Sequence, residues 1–221
     1  MTFSKELWES GATKVYAEIV RHPFITGLTD GTLSREAFRY FIVQDSHYLR
    51  SYSRALALVA ARAVDEDAVS MFARHAADAI EVERELHSSL LGSLGLTSAD
   101  VDSIGSGPTT TAYMSYLTAV CATGTYAEAV SAVLPCYWIY RDVGRELVKQ
   151  SSPDPVYAEW IAAYASEEFD TVVESVLAVT DRLGAEVGPG ERDRCHRHFA
   201  TTTRYEWMFW DAAYRELEWP V

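Results

Sequence analysis

The chain carries the stretch LPCYWIY at residues 134–140, where a cysteine follows the only proline inside a long helical pattern. Between 125 and 149, apolar residues recur at steps of three and four, which is the period of one helix face. Pro135 cannot donate a backbone hydrogen bond and clashes with the preceding turn, so the helix should kink just before Cys136. Cys136 and Tyr140 are four residues apart and share a face. The stretch therefore predicts a kinked helix that presents a thiol and a phenol to one wall of a cavity.

Nearly every other segment of the chain also has a helical pattern. We find no alternating strand of convincing length and no internal repeat. Long amphipathic helices joined by short links form bundles, and bundles place their sites between facing helices. The predicted fold class is therefore all-α. The predicted helices cover residues 4–21, 34–63, 65–94, a short helix from 97, 109–122, 125–150, 156–184 and 190–217.

Several sequence features indicate where the first helices begin. Ser4, Ser34 and Asp65 are residue types that cap helix N-termini. The sequence TSAD at 97–100 matches a capping box. Residues 23–31 hold a proline and two glycines, which is typical of a short, turn-rich connector. We therefore expect the first long helix to end before residue 23 and the second to start at Ser34.

The composition is that of an ordinary globular protein and excludes some classes of partner. The 221 residues carry a formal net charge of -13, which argues against binding to nucleic acid or to anionic membranes. The start of the chain lacks an apolar run of signal-peptide length, and the longest such run, 55–61, is too short to cross a bilayer. Cys121, Cys136 and Cys195 are odd in number and widely spaced. Reduced thiols in a cytoplasmic protein are expected.

Polar residues on apolar helix faces are the most informative part of the pattern. Asp45 lies among apolar residues on the core face of the second long helix, and Glu206 lies in the most aromatic stretch of the chain. Asp45 could be paired with an arginine and Glu206 could keep its carboxylate in water. Cys136 alone is more often a small core residue than a nucleophile. Together, however, these groups could supply a nucleophile, an acid or base, and a stacking cage for a flat heteroaromatic ligand.

Five separated motifs carry a resemblance to a known family. They are HPF at 22–24, DGTL at 30–33, QDSHYL at 44–49, LPCYWIY at 134–140 and YEWMFW at 205–210. In order and spacing they resemble the TenA/thiaminase II family, and the similarity covers essentially the whole chain. The resemblance implies a haem-oxygenase-like helical bundle, usually a homotetramer. It also implies the cysteine-bearing branch, which hydrolyses aminopyrimidines in thiamin salvage.

The resemblance also implies roles for residues of this chain. Cys136 would be the nucleophile that adds to the pyrimidine ring. Asp45 would bind the amidine edge of the ring and help to protonate it, and Glu206 would protonate the departing amine. Adding a thiolate to an electron-rich ring requires the ring to be protonated or strongly hydrogen-bonded, so these roles are complementary. The implied substrate-binding residues are Tyr48, Tyr113, Tyr140, Tyr164 and Phe209.

Two features complicate this interpretation. His47 stands where the family commonly has an aromatic residue such as tyrosine, which affects a contact around the site or between subunits. His75, Glu83 and His87 suggest a metal site, with Glu83 and His87 four residues apart, but a solvated pair is the commoner explanation. Di-iron bundles use paired Glu-x-x-His units, and the sequence contains none. We therefore assign no metal, and the family implies no cofactor.

The leading hypothesis is a single helical domain, 1–221, that hydrolyses 4-amino-5-aminomethyl-2-methylpyrimidine and releases ammonia. Cleavage of thiamin at its methylene bridge is a further activity that the family implies. A metal-dependent oxidase of the same fold is one alternative, and a non-catalytic pyrimidine-binding or regulatory protein is another. The sequence does not rank aminomethylpyrimidine, its formyl derivative and thiamin as substrates, because all three share the ring that these residues would contact.

Overall fold

The architecture is helical throughout. The computed structural model describes the backbone of residues 1–221 and the side chains of all of them except 82–89 and 98. Every regular element along the described backbone is a helix, and none of the described helices is long and apolar enough to cross a membrane. The helices are α1 (Phe3–Leu7), a π-helical turn (Trp8–Ala12), α2 (Thr13–Ile19), α3 (Pro23–Asp30), α4 (Arg35–Arg62), α5 (Glu66–Ser93), α6 (Ser98–Ser103), α7 (Pro108–Thr123), α8 (Tyr126–Leu147), α9 (Pro155–Tyr164), α10 (Glu167–Gly184) and α11 (Pro189–Arg215).

Helix α8 lies at the centre of the bundle. It packs against α11, α10, α7, α9 and α4, and most of its side chains are buried. Aromatic rings join the helices around it: Phe41 of α4 stacks on Trp210 of α11 with ring centroids 5.0 Å apart, and Tyr140 of α8 lies 5.0 Å from the same indole. α8 runs through Pro135 as one helix, and the kink stays a prediction. Because α8 contacts so many helices, Cys136 lies where several elements can supply partners.

The predicted starts of the long middle helices are confirmed. Ser34 and Asp65 each accept a hydrogen bond from the backbone N–H three residues ahead, at 3.1 and 2.8 Å. Thr97 and Asp100 form the predicted capping box. Each cap satisfies backbone donors that the first turn of a helix leaves unpaired. The predicted helices 34–63, 65–94, 109–122, 125–150 and 190–217 all have their observed ends within about three residues, the uncertainty usual for helix termini.

The predicted first helix is wrong in two respects. It begins at Phe3, with Thr2 at the N-cap, and Ser4 does not cap it. Ser4 instead donates its backbone N–H to Asp181 of α10, at 2.8 Å. The predicted helix 4–21 is also divided by the π-helical turn, where Gly11 lies against α11 so closely that a Cβ would approach Phe199 to 3.0 Å. The contacts of this helix with α10 and α11 therefore decide its local form.

The predicted connector at 23–31 is a two-turn helix, α3. The His22 ring accepts a hydrogen bond from the backbone N–H of Phe24 at 3.2 Å, and Pro23 occupies the first helical position. Proline is well suited to that position, because its missing N–H would have no partner there and its φ is already helical. Gly31 ends the helix with φ of 71°, a left-handed conformation that glycine adopts at low cost. The same residues that favour a turn thus start and stop a helix here.

The predicted helix 156–184 is two helices. α9 ends at Tyr164, and Ser166 caps α10 by accepting a hydrogen bond from the N–H of Phe169 at 3.2 Å. Glu167 and Glu168 follow in the first turn, where negative charge is favourable. The break brings Tyr164, Ser166 and Phe169 to a cavity beside α8. It is therefore the departure from the predicted helices with the greatest effect on the site.

The corner between α9 and α10 lies directly against a glycine of α8. A Cβ built on Gly144 would lie 2.6 Å from the carbonyl carbon and oxygen of Tyr164. Backbone atoms cannot move aside as a flexible side chain can, so Gly144→Ala should displace Tyr164 and lower the free energy of unfolding by about 1 to 3 kcal/mol. Urea denaturation followed by circular dichroism measures the change.

Gly92→Ala is the matched control for this substitution. Gly92 is also helical, and no described atom lies within 4 Å of a Cβ placed there. Alanine should stabilise this position by about 0.5 to 1 kcal/mol, because it restricts the unfolded chain and favours helix. Equal stabilities of Gly144→Ala and the wild type would show that the corner does not depend on the close approach.

Candidate active site

A cavity of about 480 Å³ lies between α4, α5, α8 and the corner where α9 meets α10. Five of the residues singled out in the sequence line it. Asp45 and Tyr48 come from α4, Cys136 and Tyr140 from α8, and Tyr164 from the end of α9. Helical spacing places each pair from one helix on the same face. The structure thus brings these five side chains together from three helices.

The side chains at the inner end of the cavity are buried. Asp45 and Tyr48 are each 3% exposed, whereas Cys136 is half-buried and faces the cavity. Cys121 and Cys195 are fully buried in the core. Cys136 is therefore the cysteine that a ligand in the cavity can reach.

Glu206 is held in the interior by a tyrosine. It is 1% exposed, so the alternative that its carboxylate stays in water is wrong. The hydroxyl of Tyr113 on α7 donates a hydrogen bond to Glu206 Oε1. Burial raises the pKa of Glu206 to about 8, the negative charge of Asp45 adds to the rise, and the Tyr113 hydrogen bond opposes it. Glu206 is therefore mainly protonated at neutral pH and can donate a proton.

The Cys136 thiol is also kept neutral by its surroundings. Burial raises the pKa of the Cys136 thiol well above its ordinary value. When Glu206 is ionised, its negative charge raises that pKa further. The thiolate is the reactive form of cysteine. Because Cys136 is a neutral thiol at rest, any reaction at its sulfur requires that it lose its proton at that moment. A ligand that enters the cavity therefore meets Cys136 as a neutral thiol.

Aromatic rings support the inner wall. Tyr48 lies with its ring centroid 4.8 Å from that of Tyr113 and 5.7 Å from that of Phe209. Tyr140 and Tyr164 face each other at 4.9 Å. Tyr140 and Tyr164 line the cavity, whereas Tyr113 and Phe209 pack against Tyr48 and are not among the described cavity-lining side chains. Such tilted ring pairs fix the position of each ring and leave flat faces for a planar ligand.

Some side chains at the cavity were not proposed as site residues from the sequence. Tyr52 donates to the carbonyl oxygen of Val133 at 2.9 Å, and the hydroxyl of Tyr137 lies 3.1 Å from His75 Nδ1. Tyr52 lies one helical turn beyond Tyr48 on the same face, so the period could have identified it. Burial lowers the pKa of His75, which favours a neutral imidazole.

Two further expectations about histidines have different outcomes. His47 lies 2.7 Å from the carbonyl oxygen of Ile104, through Nε2, so the departure from the family pattern is matched by a contact to the loop after α6. For the metal hypothesis, the side chains of Glu83 and His87 lie outside the described residues. Within the described part of the chain, no group of three possible ligands could hold a metal ion.

The fold and cavity define a class of protein: a helical bundle whose cavity is lined by a thiol, the buried carboxylate of Asp45 and several tyrosines, with the buried carboxyl group of Glu206 outside the described lining. The sequence matches the TENA/THI-4/PQQC family over residues 10–216, and the chain belongs to that family.

Individual relatives agree with this assignment. An aminopyrimidine aminohydrolase from Halalkalibacterium halodurans is 34% identical over 221 residues, which cover 99% of this chain and 98% of that protein. The structure of a TenA homologue protein from P. horikoshii OT3 is 29% identical, with a TM-score of 0.88 over 97% of this chain and 99% of the other. A domain of unknown function with a heme oxygenase-like fold from Shewanella denitrificans OS217 is 17% identical, with a TM-score of 0.76 over 98% and 93%. The predicted all-α, haem-oxygenase-like fold is confirmed.

The surroundings of Cys136 predict how it reacts with iodoacetamide. Burial raises the pKa of Cys121 to about 12 and that of Cys195 to about 11, and both lie in the core, so native protein should be labelled at Cys136. Glu206→Gln should speed labelling at pH 9 by about three- to tenfold, because the charge that raises the thiol pKa is removed. Mass spectrometry of tryptic peptides measures the rate.

The effect should depend on pH. At pH 6.5 Glu206 is already protonated, so the wild type and Glu206→Gln should be labelled at similar rates. Glu186→Gln changes an exposed carboxylate away from the cavity and is the control. Equal rates for the wild type and Glu206→Gln at pH 9 would contradict the coupling between the two groups.

Proposed function

We propose that the chain is an aminopyrimidine aminohydrolase of thiamin salvage that converts 4-amino-5-aminomethyl-2-methylpyrimidine and water to the 5-hydroxymethyl pyrimidine and ammonia. The name of its relative from Halalkalibacterium halodurans supports the reaction. The observation that carries the chemistry is the buried, protonated Glu206, whose charge acts on Cys136, the cysteine whose half-buried thiol lines the cavity. Amine displacement requires a nucleophile and a proton donor that act on the same substrate.

The first step is addition of the thiol to the pyrimidine ring. Asp45 binds the amidine edge of the ring, and its carboxylate accepts a hydrogen bond from the N–H that forms when a ring nitrogen gains a proton, which favours that protonation and so makes the ring carbons more electrophilic. Sγ of Cys136 forms a bond to a ring carbon, and the thiol proton ends on a ring nitrogen. The ring loses aromaticity and gains electron density that can expel a group from its methylene substituent.

The second step releases the amine. Glu206 gives its proton to the departing nitrogen, the C–N bond breaks, and ammonia leaves. Water then adds to the exocyclic carbon and returns a proton to Glu206. The C–S bond breaks, the thiol recovers its proton from the ring nitrogen, and aromaticity is restored. Thiamin fits the same sequence with thiazole as the leaving group, which departs without a proton.

The cavity walls support a planar substrate. Tyr140, Tyr164 and Tyr48 present flat faces around Cys136, and Tyr113 and Phe209 hold Tyr48 from behind. A protonated Glu206 next to neutral aromatic rings keeps the local dielectric low, which strengthens each hydrogen bond to the substrate. Ammonia release from the aminomethylpyrimidine tests the proposal, and its absence with pure, folded protein would contradict it.

We propose a homotetramer as the assembly and the cytoplasm as the compartment. Exposed apolar side chains near the end of α11 and after it, Met208, Tyr214 and Trp219, support contact between chains. The three cysteines are free, which is consistent with a reducing compartment. Static light scattering of purified protein measures the mass of the assembly.

Cys136→Ser should abolish hydrolysis, because a hydroxyl of similar size is a far weaker nucleophile. The helical circular-dichroism spectrum and the affinity for the pyrimidine should be retained. Cys121→Ser and Cys195→Ser serve as controls and should keep activity near that of the wild type. Turnover by Cys136→Ser at the wild-type rate would exclude the nucleophilic role.

Glu206→Gln should lower the chemical rate on the aminomethylpyrimidine by about 10² to 10⁴-fold, because the amine loses its proton donor. The loss should be smaller for thiamin, whose thiazole leaves without a proton. Wild-type activity on the amine should fall as pH rises through about 8, where Glu206 loses its proton, and the Glu206→Gln variant has no such group to titrate. Single-turnover rates on both substrates measure this, and equal losses on both would remove Glu206 from the leaving-group step.

A further inference from the structure

We propose that three carboxylates at the mouth of the cavity, Asp78, Glu81 and Glu168, select positively charged, unphosphorylated pyrimidines over phosphorylated ones. This inference rests on the proposed function, because it concerns access to the same site. None of the three was a candidate in the sequence, where each resembles part of a solvated helix face.

The three carboxylates lie where the cavity meets solvent. The lining side chains change from buried to exposed along the cavity: Tyr48 and Tyr140 are 3% and 4% exposed at the inner end, whereas all three acidic residues are exposed. Asp78 and Glu81 come from α5, and Glu168 comes from the first turn of α10 on the other side. A ligand that reaches Cys136 from solvent therefore passes between carboxylates on two helices.

The described side chains of the cavity lining include no permanent positive charge that would offset these carboxylates. Among the described lining side chains there is no lysine or arginine. His75 is the one basic group in that set, and it favours the neutral form because burial lowers its pKa. The mouth thus carries a negative potential, and the net charge of the chain, -13, reinforces it.

The start of α10 does not provide an anion site at this mouth. A helix N-terminus attracts anions through its unpaired N–H groups. Here the side chain of Ser166 accepts the hydrogen bond from Phe169 N, and Glu167 and Glu168 occupy the first turn. Asp170 in the same turn pairs with Arg141 and Arg145. The positive end of the helix is therefore already compensated.

A separate observation indicates that a ligand fills the cavity beneath the mouth. The Tyr48 hydroxyl is buried at the inner end near the polar groups of Tyr113 and Cys136, and it makes no hydrogen bond of ordinary length and angle with a described residue. A buried hydroxyl without a good hydrogen bond is unfavourable, so a polar ligand that pairs with it removes that penalty. The inner end of the cavity thus favours a ligand with a polar group, and the carboxylates at the mouth select that ligand by its charge.

The acidic mouth and the polar inner end of the cavity together select ligands by their charge. A thiazolium or ammonium group on a pyrimidine is attracted as it passes the three carboxylates. A phosphate group on the same molecule is repelled by each of them. With the mouth exposed to solvent, three such repulsions at about 8 Å amount to about a tenfold loss of affinity at low salt.

Thiamin and thiamin monophosphate are suitable probes, because they differ only by the phosphate. Their Kd values are measured by titration calorimetry on protein with Cys136→Ser, which prevents turnover. We expect thiamin to bind about tenfold more tightly at low salt, and the preference to shrink as salt rises. Adding Asp78→Asn, Glu81→Gln and Glu168→Gln should bring the two Kd values close together and remove the salt dependence of their ratio.

The control is a set of three carboxylates outside the cavity. Glu9→Gln, Glu186→Gln and Asp193→Asn alter exposed residues and change the net charge by the same amount, so the Kd ratio should stay as in the parent protein. A ratio near one in the parent, a ratio unaffected by the mouth substitutions, or the same shift in the control would overturn the proposal. Ammonia release by the wild type tests the proposed function separately, since these binding measurements need no turnover.

Discussion

The structure depends on the burial of a carboxyl group inside an aromatic core. Glu206 is 1% exposed, and an ionised carboxylate there would cost several kcal/mol, a large fraction of the stability of a domain. The group avoids that cost by keeping its proton and by accepting a hydrogen bond from Tyr113. That bond ties α7 to α11, and α11 packs on α8. The position of Cys136 and the protonation of its neighbour therefore follow from one constraint.

Much of this arrangement could be predicted from local patterns. Ser34 and Asp65 are good caps in any context, because their side chains satisfy donors that every helix start leaves free. Helical period placed Asp45 and Tyr48 on one face, and Cys136 and Tyr140 on another, and all four line the cavity. Those predictions needed only the geometry of a single helix. The hydrogen bond from Tyr113 to Glu206 joins two different helices, and spacing within one helix does not predict it.

The predictions that were wrong depended on distant parts of the chain. Ser166 lies inside an unbroken helical pattern, and although serine favours caps, helices also tolerate it in their interior. Gly144 of α8 lets the backbone of Tyr164 approach closely, which fixes the corner between α9 and α10. Contacts between distant segments decide where such helices break, and the pattern of a single segment does not reveal those contacts.

The central place of α8 has a consequence for the order in which the protein is made. Synthesis delivers α4 first, α8 later, and α11 last of the three. Until α11 emerges, the faces of α8 and α4 that Trp210 and Phe209 cover have no partner, and a large aromatic surface is open to water or to a chaperone. Glu206 lies on that same helix, so a nascent chain completes its aromatic core and buries this carboxyl group in one event.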